Sequence, residues 1–272
     1  MDDFLTQSFG AIRPVTSRSN PHVRRLDELL RRKKAREQSS LLVLEGRRLV
    51  LDALAAGLVP QTLYLTPEAW QKAPAELEPL LQSSDQVVWL EASLAARIGD
   101  TQAPQGVFAL CPQPSLEKEK VPIQPDGRYL LLHKVRDPGN LGSILRTAAA
   151  LGADGAFLCE CAEVFSPKVL RASMGGVWRL PIALTDTLEP ILSLLQRSGI
   201  ATFAAALRQG AKGPEALALA KGRGVLIGNE GDGLPDHLID ACDHVVMLPM
   251  KSGSDSLGAS MAAGILLWEM LK

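Results

Sequence analysis

Short apolar runs alternate with amphipathic stretches along most of the chain. In the second half the apolar runs are short and nearly continuous, which is typical of parallel strands that are buried on both faces. We therefore predict strands over residues 129–135, 156–159, 201–206, 224–227 and 244–248, with helices between them and a last helix over 256–271. This alternation predicts an α/β fold with a parallel sheet.

The first half shows the same alternation over shorter distances. Residues 22–36 carry Leu26, Leu29 and Leu30 at helical spacing, and apolar runs predict strands over 41–44, 62–65, 86–90 and 107–111. Residues 111–128 hold four prolines and few apolar residues, which indicates an extended linker. We expect a small α/β/α domain over 1–114, a linker over 115–127 and a second domain over 128–272.

One helix of the second half can be placed in detail. Its apolar residues recur at helical spacing and form one stripe that we expect to be buried: Leu141, Ile144, Leu145, Ala148 and Leu151. Asn140 is suited to cap the start of this helix, and Gly152 is suited to close its end. Arg146 lies off the stripe on the polar side, where it can reach a ligand or the solvent.

Charge is distributed unevenly, although the formal net charge of the 272 residues is only -1. Residues 13–48 contain eleven Lys or Arg against four acidic residues, which gives +7 there and leaves -8 for the remainder. Such asymmetry favours a nucleic-acid partner, although a basic run is more often a solvated helix face. The candidate phosphate-binding residues are Arg24, Arg25, Arg31, Arg32, Lys33, Lys34 and Arg36.

The four cysteines show neither a disulfide framework nor a zinc spacing. Cys159-x-Cys161 is one residue short of the usual zinc pair, and no histidine lies near it in the sequence. We expect reduced thiols in a cytoplasmic protein, and no metal. The acidic first ten residues lack the apolar core of a secretion signal, and no apolar run reaches membrane-spanning length.

Three glycine-rich loops follow predicted strands, over residues 135–146, 226–235 and 248–260. Open α/β sheets bind ligands at the carboxyl ends of their strands, so the loops predict one composite site. Its polar groups would be Asn140, Arg146, Asn229, Glu230 and Ser256, although each alone could be a turn former, a helix cap or a solvated residue. No phosphate-binding fingerprint is present, so ATP, GTP and NAD are poorly supported.

The loop sequences resemble a known family. D-P-G-N-L-G-S-I-L-R-T-A, I-G-N-E-G-D-G-L and L-P-M-x-x-x-x-D-S-L-G-A-S-M-A-A-G-I-L-L-W-E are similar to the three signature motifs of the SpoU (TrmH-like) RNA ribose 2′-O-methyltransferases, in the SPOUT superfamily. The resemblance covers residues 129–272 and implies a deep trefoil knot there. T-S-R-S-N-P-H-V-R-R-L and L-V-L-E-G-R-R-L-V-L-D-A-L resemble the family's substrate-binding domain, which is similar to ribosomal protein L30e.

The resemblance implies a set of site residues and partners. It implies S-adenosylmethionine as cofactor, bound by Gly228, Asn229, Leu248, Met250, Ser256 and Leu257. It implies Arg146 as the principal catalytic residue, completed by Asn140, Glu230 and Ser256, and Arg171 of R-A-S-M-G-G as a phosphate contact. The implied partners are RNA, in particular ribosomal (23S) RNA, and a second copy of the chain, with no metal and no membrane.

One position departs from the family pattern. The third motif usually reads S-L-N, whereas this chain has Ser256-Leu257-Gly258. The missing amide would weaken the hold on the methionine end of the cofactor or slow the reaction, unless a water molecule or Ser260 replaces it. Three alternatives stay open: a transfer-RNA methyltransferase, an RNA-binding module with impaired turnover, and a small-molecule methyltransferase on a doubly wound fold.

Overall fold

The computed structural model describes residues 13–101, 104–229, 231–251 and 257–272. The chain divides into two compact units. The N-terminal unit comprises Met1–Gln113 with Phe165–Pro167, and the C-terminal unit comprises Pro114–Val164 with Lys168–Lys272. No helix in the described part of the chain is both long enough and apolar enough to cross a membrane.

The N-terminal unit is a mixed α/β structure. Its helices are α1 (Pro21–Arg31), α2 (Lys33–Ser39), α3 (Arg47–Ala55), α4 (Pro67–Lys72), α5 (Pro74–Ser83) and α6 (Ala92–Ile98). Its strands are β1 (Leu41–Glu45), β2 (Thr62–Leu65), β3 (Gln86–Trp89) and β4 (Val107–Pro112). They form one sheet in the order β1-β4-β2-β3, in which only β2 and β3 are parallel.

The basic segment of this unit forms two helices rather than the single predicted helix. Arg32 has extended backbone angles (φ -116°, ψ 112°) and ends α1 before α2 begins. Arg36 is only 4% exposed, and its Nη1 donates to the carbonyl oxygens of Leu29 at 2.6 Å and Leu30 at 3.3 Å. Those carbonyls belong to the last turn of α1, where helical partners are missing. Arg36 therefore closes the end of α1 from α2.

The C-terminal unit is built on a parallel six-stranded sheet. Its strands are β5 (Arg128–His133), β6 (Gly155–Cys159), β7 (Ile182–Leu184), β8 (Ala201–Ala205), β9 (Arg223–Ile227) and β10 (His244–Val246), in the order β10-β8-β9-β5-β6-β7. Its α-helices are α7 (Pro138–Leu151), α8 (Pro167–Ser173), α9 (Gly176–Arg179), α10 (Glu189–Arg197), α11 (Asp236–Asp240) and α12 (Ala259–Leu271). The α/β fold and the parallel sheet are confirmed, and β7 is a strand that the apolar pattern misses.

The segment that we expect to be a linker, residues 115–127, makes specific contacts at Leu116, Val121 and Pro122. Val121 is buried in the core of the C-terminal unit, and the Tyr129 hydroxyl donates to the carbonyl of Pro122 at 2.8 Å. The amide of Leu184 donates to the carbonyl of Leu116 at 2.8 Å. These residues therefore pack on the parallel sheet and do not form a free spacer.

Helix α7 buries Leu141, Ile144, Leu145 and Ala148 of the predicted stripe, leaves Leu151 half-buried, and has a different N-cap. Asp137 occupies the cap position, and its Oδ1 accepts from the amide of Asn140 at 2.8 Å. This bond lowers the pKa of Asp137. Asn140 therefore lies inside the first turn, and the prediction that it caps the helix is wrong, because Pro138 starts the helix two residues earlier. Gly152 ends the helix with φ +84°, as predicted.

Candidate active site

A cavity of about 640 Å³ lies at the carboxyl ends of β8, β9 and β10, which are neighbours in the parallel sheet. The segments that follow these strands form much of its wall, and the start of α12 closes it. This is the edge at which parallel α/β sheets bind ligands. We call this space the cofactor cavity.

The structure brings together most of the predicted cofactor-binding residues. Those that line the cofactor cavity are Gly228, Asn229, Leu248, Met250 and Leu257, and they are joined there by Asn140, which was predicted as a catalytic residue. Two other predicted residues, Glu230 and Ser256, lie outside the described residues. The three loops of the predicted composite site therefore contribute residues to one cavity wall. The first loop contributes one of these residues, and the second and third loops contribute the rest.

The second loop folds back on itself between Gly228 and Leu234. Asn229 and Gly233 exchange backbone hydrogen bonds at 3.2 Å, and the amide of Gly231 donates to Asn229 Oδ1 at 2.6 Å. A Cβ atom on Gly228 would lie 2.5 Å from the carbonyl carbon and oxygen of Gly233, closer than real side chains come. Glycine at residue 228 is therefore a steric requirement of the turn.

The cavity wall combines apolar side chains with exposed carboxylates. Ile227, Val246 and Leu266 contribute apolar surface, and Asp232 and Asp236 contribute negative charge. A ligand that is partly flat and apolar and that also carries positive charge would match this lining.

Arg146 does not belong to the described wall of the cofactor cavity. Its side chain is exposed on α7, two turns after Asn140. A Cβ atom on Gly176 would lie 2.8 Å from Arg146 Cα, so glycine at this position lets α9 approach the α7 backbone closely. The segment R-A-S-M-G-G thus has a packing role. Its Arg171 is half-buried in α8, and its contact with phosphate stays a prediction.

Gly258, the position that departs from the family pattern, occupies the N-cap of α12 and also lines the cavity. Ser256, one of the residues that could be a helix cap, lies outside the described residues, and the helix begins at Ala259. Among the described residues no side chain caps α12, and a Cβ atom built on Gly258 would have none of their atoms within 4 Å. Its backbone (φ -56°, ψ 144°) is one that any residue can adopt. Space for a larger side chain is therefore present at this point of the wall.

The basic residues of the N-terminal unit differ in their surroundings. Arg24, Arg25 and Lys34 are exposed. Three others form ion pairs one helical turn apart along the chain: Arg31 with Asp27 at 2.8 Å, Arg32 with Glu28 at 3.4 Å and Lys33 with Glu37 at 3.4 Å. The side chain of Arg36 is buried against backbone carbonyls, so the prediction that it contacts phosphate is wrong.

Sequence reasoning missed the loop after β8. Ala206 and Leu207 line the cofactor cavity, and the next residue, Arg208, forms ion pairs with Asp236, at 3.4 Å, and Asp240 of α11. Residues 206–208 carry no glycine-rich motif. Only the position of β8 beside β9 in the sheet could have indicated that this loop lines the cavity.

Comparisons with known proteins agree with this geometry. The family model described as SpoU rRNA Methylase family matches residues 127–268, and the model described as MRM3-like substrate binding domain matches residues 20–109. An uncharacterised tRNA/rRNA methyltransferase of Synechocystis is 32% identical over 95% of this chain and 93% of its own length.

Two further relatives carry more specific descriptions. The 23S rRNA guanosine 2′-O-methyltransferase RlmP of Bacillus subtilis is 28% identical over 89% of this chain and 92% of its own length. The crystal structure of an AdoMet-bound rRNA methyltransferase from Sinorhizobium meliloti superimposes with a TM-score of 0.81 and 32% identity, covering 95% of this chain and 97% of that one.

Proposed function

Because the chain belongs to the SpoU rRNA methylase family, we propose that it transfers a methyl group from S-adenosylmethionine to the 2′-oxygen of a ribose in ribosomal RNA, in particular 23S RNA. One observation carries the proposal: three separate loops meet around a single cavity at the carboxyl edge of a parallel sheet. The relatives described as acting on rRNA, one of them on 23S rRNA, support the choice of substrate.

The cofactor cavity fits S-adenosylmethionine in shape and in charge. Leu248, Met250 and Leu257 offer apolar surface and main chain to a flat base, and Gly228 allows the second loop to come close. Asp232 and Asp236 offer carboxylates to a cationic ligand. When bound, S-adenosylmethionine supplies a methyl group that is already activated by the positive charge on its sulfur.

The residues of the chain then have to align the acceptor and exclude water. We assign the alignment to Asn140, which lies on the cavity wall, and to Glu230 and Ser256 of the second and third motifs. The exposed guanidinium of Arg146 would bind the phosphate beside the target ribose and stabilise negative charge that develops on its oxygen. A guanidinium resists deprotonation, so we assign the proton to phosphate or water rather than to Arg146.

The N-terminal unit is the proposed RNA-binding domain. The exposed side chains of Arg24, Arg25 and Lys34, together with the ion-paired Arg31, Arg32 and Lys33, give α1 and α2 a positive surface that suits backbone phosphates. The match of residues 20–109 to a substrate-binding domain supports this assignment, and the proposal includes the L30e-like fold that the motifs imply. Arg171 is the proposed phosphate contact of the C-terminal unit.

We further propose that two copies pair through the C-terminal unit. Helix α12 buries Ala263, Leu266, Leu267 and Met270 but leaves Met261, Ile265 and Trp268 exposed, the last by 58%. These three residues recur at intervals of four and three, so they form one apolar face. The proposal includes the deep trefoil knot implied by the motifs.

The test is methyl transfer to ribosomal RNA from a strain that lacks the gene, with the product mapped by mass spectrometry. We expect one ribose 2′-O-methylated nucleotide in 23S RNA. Arg146→Ala should reduce the rate by about 100-fold or more with little change in cofactor affinity, whereas Arg197→Ala, an exposed arginine on α10, should leave the rate unchanged. Methylation of a base, of transfer RNA alone or of a small metabolite alone would contradict the proposal, as would full activity of the Arg146 variant.

Gly258 favours a second candidate, an RNA-binding protein with impaired turnover. The position lines the cavity but has no side chain with which to hold the cofactor. In that case calorimetry would detect RNA binding and weak binding of S-adenosylmethionine, and no methylated product would accumulate in the same assay.

A further inference from the structure

Three side chains with metal-binding atoms meet at the carboxyl ends of β5 and β6. His133 and Cys159 are direct partners in the parallel register of these strands, and Glu160 follows Cys159. The ligand atoms of the three side chains all lie within 4.8 Å of one another. None of the three belongs to the described wall of the cofactor cavity, so the cluster is a separate feature of the C-terminal unit.

His133 supplies an independent observation. Its side chain is buried, with 7% exposure, and its Nδ1 has no hydrogen-bond partner among the described residues. A buried polar nitrogen without a partner is unfavourable. Burial, and then the positive charge of Lys134, lowers the pKa of His133.

The backbone at this edge is held in a conformation that side chains seldom adopt. Lys134 has φ +56° and Glu160 has φ +50°, and neither residue is a glycine. Such residues are strained and are concentrated at ligand sites. The amide of Lys134 donates to the carbonyl of Cys159 at 2.9 Å, and its Nζ lies 3.4 Å from Glu160 Oε1. Both strand ends are thereby fixed beside His133.

We propose that His133, Cys159 and Glu160 bind a zinc ion. Imidazole, thiolate and carboxylate together suit Zn²⁺, whereas Mg²⁺ and Ca²⁺ prefer oxygen ligands alone. Ligands of a tetrahedral zinc ion lie roughly 3.5 Å apart, so side-chain rotation has to close the cluster by about 1 Å. A water molecule would complete the four ligands.

Binding changes the protonation and the contacts of two residues. The Cys159 thiol lies 3.3 Å from the carbonyl of Asp186, and burial, followed by the charges of Glu160 and Glu189, raises its pKa. Zn²⁺ has to displace this thiol proton, which passes to the buffer, and the thiolate sulfur forms the bond to the metal. Glu160 breaks its ion pair with Lys134 and binds the metal instead. The bound ion would then join the ends of β5 and β6 directly before the loop that leads to Asn140.

The test uses the full chain, freed of metal by a chelator and titrated with Co²⁺ and Zn²⁺. We expect one Co²⁺ per chain, with the near-ultraviolet charge-transfer band of a cobalt–thiolate bond, and displacement of Co²⁺ by Zn²⁺. Cys159→Ser should remove the band, and His133→Asn and Glu160→Gln should each weaken Co²⁺ affinity at least about tenfold. Cys161→Ser is the matched control, because its half-exposed thiol lies two residues away, and it should keep the band.

A measurement on the unmodified chain covers the case in which a variant fails to fold. Zn²⁺ should raise the melting temperature and slow alkylation of Cys159, identified by mass spectrometry, while leaving alkylation of Cys161 unchanged. Absence of Co²⁺ binding at 100-fold molar excess would overturn the proposal. So would a band that survives in Cys159→Ser or disappears in Cys161→Ser, or Zn²⁺ that protects Cys161 instead of Cys159.

Discussion

At the scale of single residues, the space around two glycines shows that the fold requires one of them, whereas the other is a departure from the family pattern. Gly228 has the backbone of Gly233 in the position that its Cβ would take, at 2.5 Å. Gly258 faces open space, with no described atom within 4 Å of the point that a Cβ would occupy. The two residues line the same cavity, yet only the first is required for the loop to close.

Gly228→Ala should therefore destabilise the protein and weaken binding of S-adenosylmethionine. Overpacking of this kind costs about 1–3 kcal/mol, since the turn at Gly233 has to move. Urea unfolding and calorimetry measure the two effects. Gly264→Ala is the control, because this glycine of α12 also has open space around it. Replacing it should raise stability by up to about 1 kcal/mol through helix propensity. Equal stability of the two variants would rule out the steric explanation.

Gly258→Asn should tighten binding of S-adenosylmethionine by restoring an amide at the cavity wall. The same amide can cap α12, which should add a few tenths of a kcal/mol, about the difference between Asn and Gly at an N-cap. Isothermal titration of the cofactor gives the first effect and thermal unfolding gives the second. Gly258→Ala separates the amide from mere bulk. Identical cofactor affinity of the Asn, Ala and unmodified chains would show that the missing amide has no consequence.

Residue types in the sequence predicted which loops meet, but not the position of each side chain. Asn140, Leu248 and Leu257 lie on the cavity wall because their loops follow parallel strands, which the apolar runs indicate directly. Arg36 looked like one more surface cation, and its burial depends on α1 ending at Arg32. The spacing of leucines along the sequence does not reveal the change in backbone angles at Arg32 that ends this helix.

At the scale of elements, the junction of α1 and α2 divides the basic residues into two kinds. Arg36 donates to two carbonyls at the end of α1, whereas Lys34, two residues earlier, is exposed. One cation therefore stabilises the fold, and the other is available to a polyanion.

Arg36→Ala and Lys34→Ala should consequently have opposite effects on stability and on RNA binding. The first should lower the free energy of unfolding by about 1–3 kcal/mol, because it leaves buried carbonyls without a donor. The second should leave stability unchanged, weaken RNA binding and reduce the slope of log affinity against log salt by about 1. Urea unfolding and filter binding at several salt concentrations distinguish them. An unaltered salt slope for Lys34→Ala would remove this residue from the RNA-binding surface.

The strength of the apolar pattern decided which elements could be predicted. The buried strands β5, β6, β8 and β9 consist of nearly continuous apolar runs. Strand β7 has only three residues and follows Pro181, so its apolar run is too short to be identified as a strand from the sequence. The contacts of residues 114–127 with the parallel sheet are tertiary, and a segment rich in proline predicts only that helices and central strands are excluded there.

At the scale of the whole molecule, the exposed face of α12 predicts the oligomeric state. Trp268→Glu should convert a homodimer into a monomer, because it places a charge on the apolar face. Light scattering after gel filtration measures the mass, and circular dichroism checks that the fold is intact. Leu194→Glu, at a partly exposed leucine of α10, is the matched control and should remain dimeric. A monomeric unmodified chain, or a Trp268 variant of unchanged mass, would contradict the proposed dimer.

The order of strands in the parallel sheet also has a consequence for biosynthesis. Strand β5 pairs with β6 soon after both are made, but its other neighbour is β9, where Arg128 lies opposite Arg223. Until β9 has emerged from the ribosome, the apolar strand β5 has unpaired amides and carbonyls along one side, although it belongs to the middle of the sheet. The nascent chain is therefore vulnerable to aggregation until Arg223–Ile227 has emerged from the ribosome.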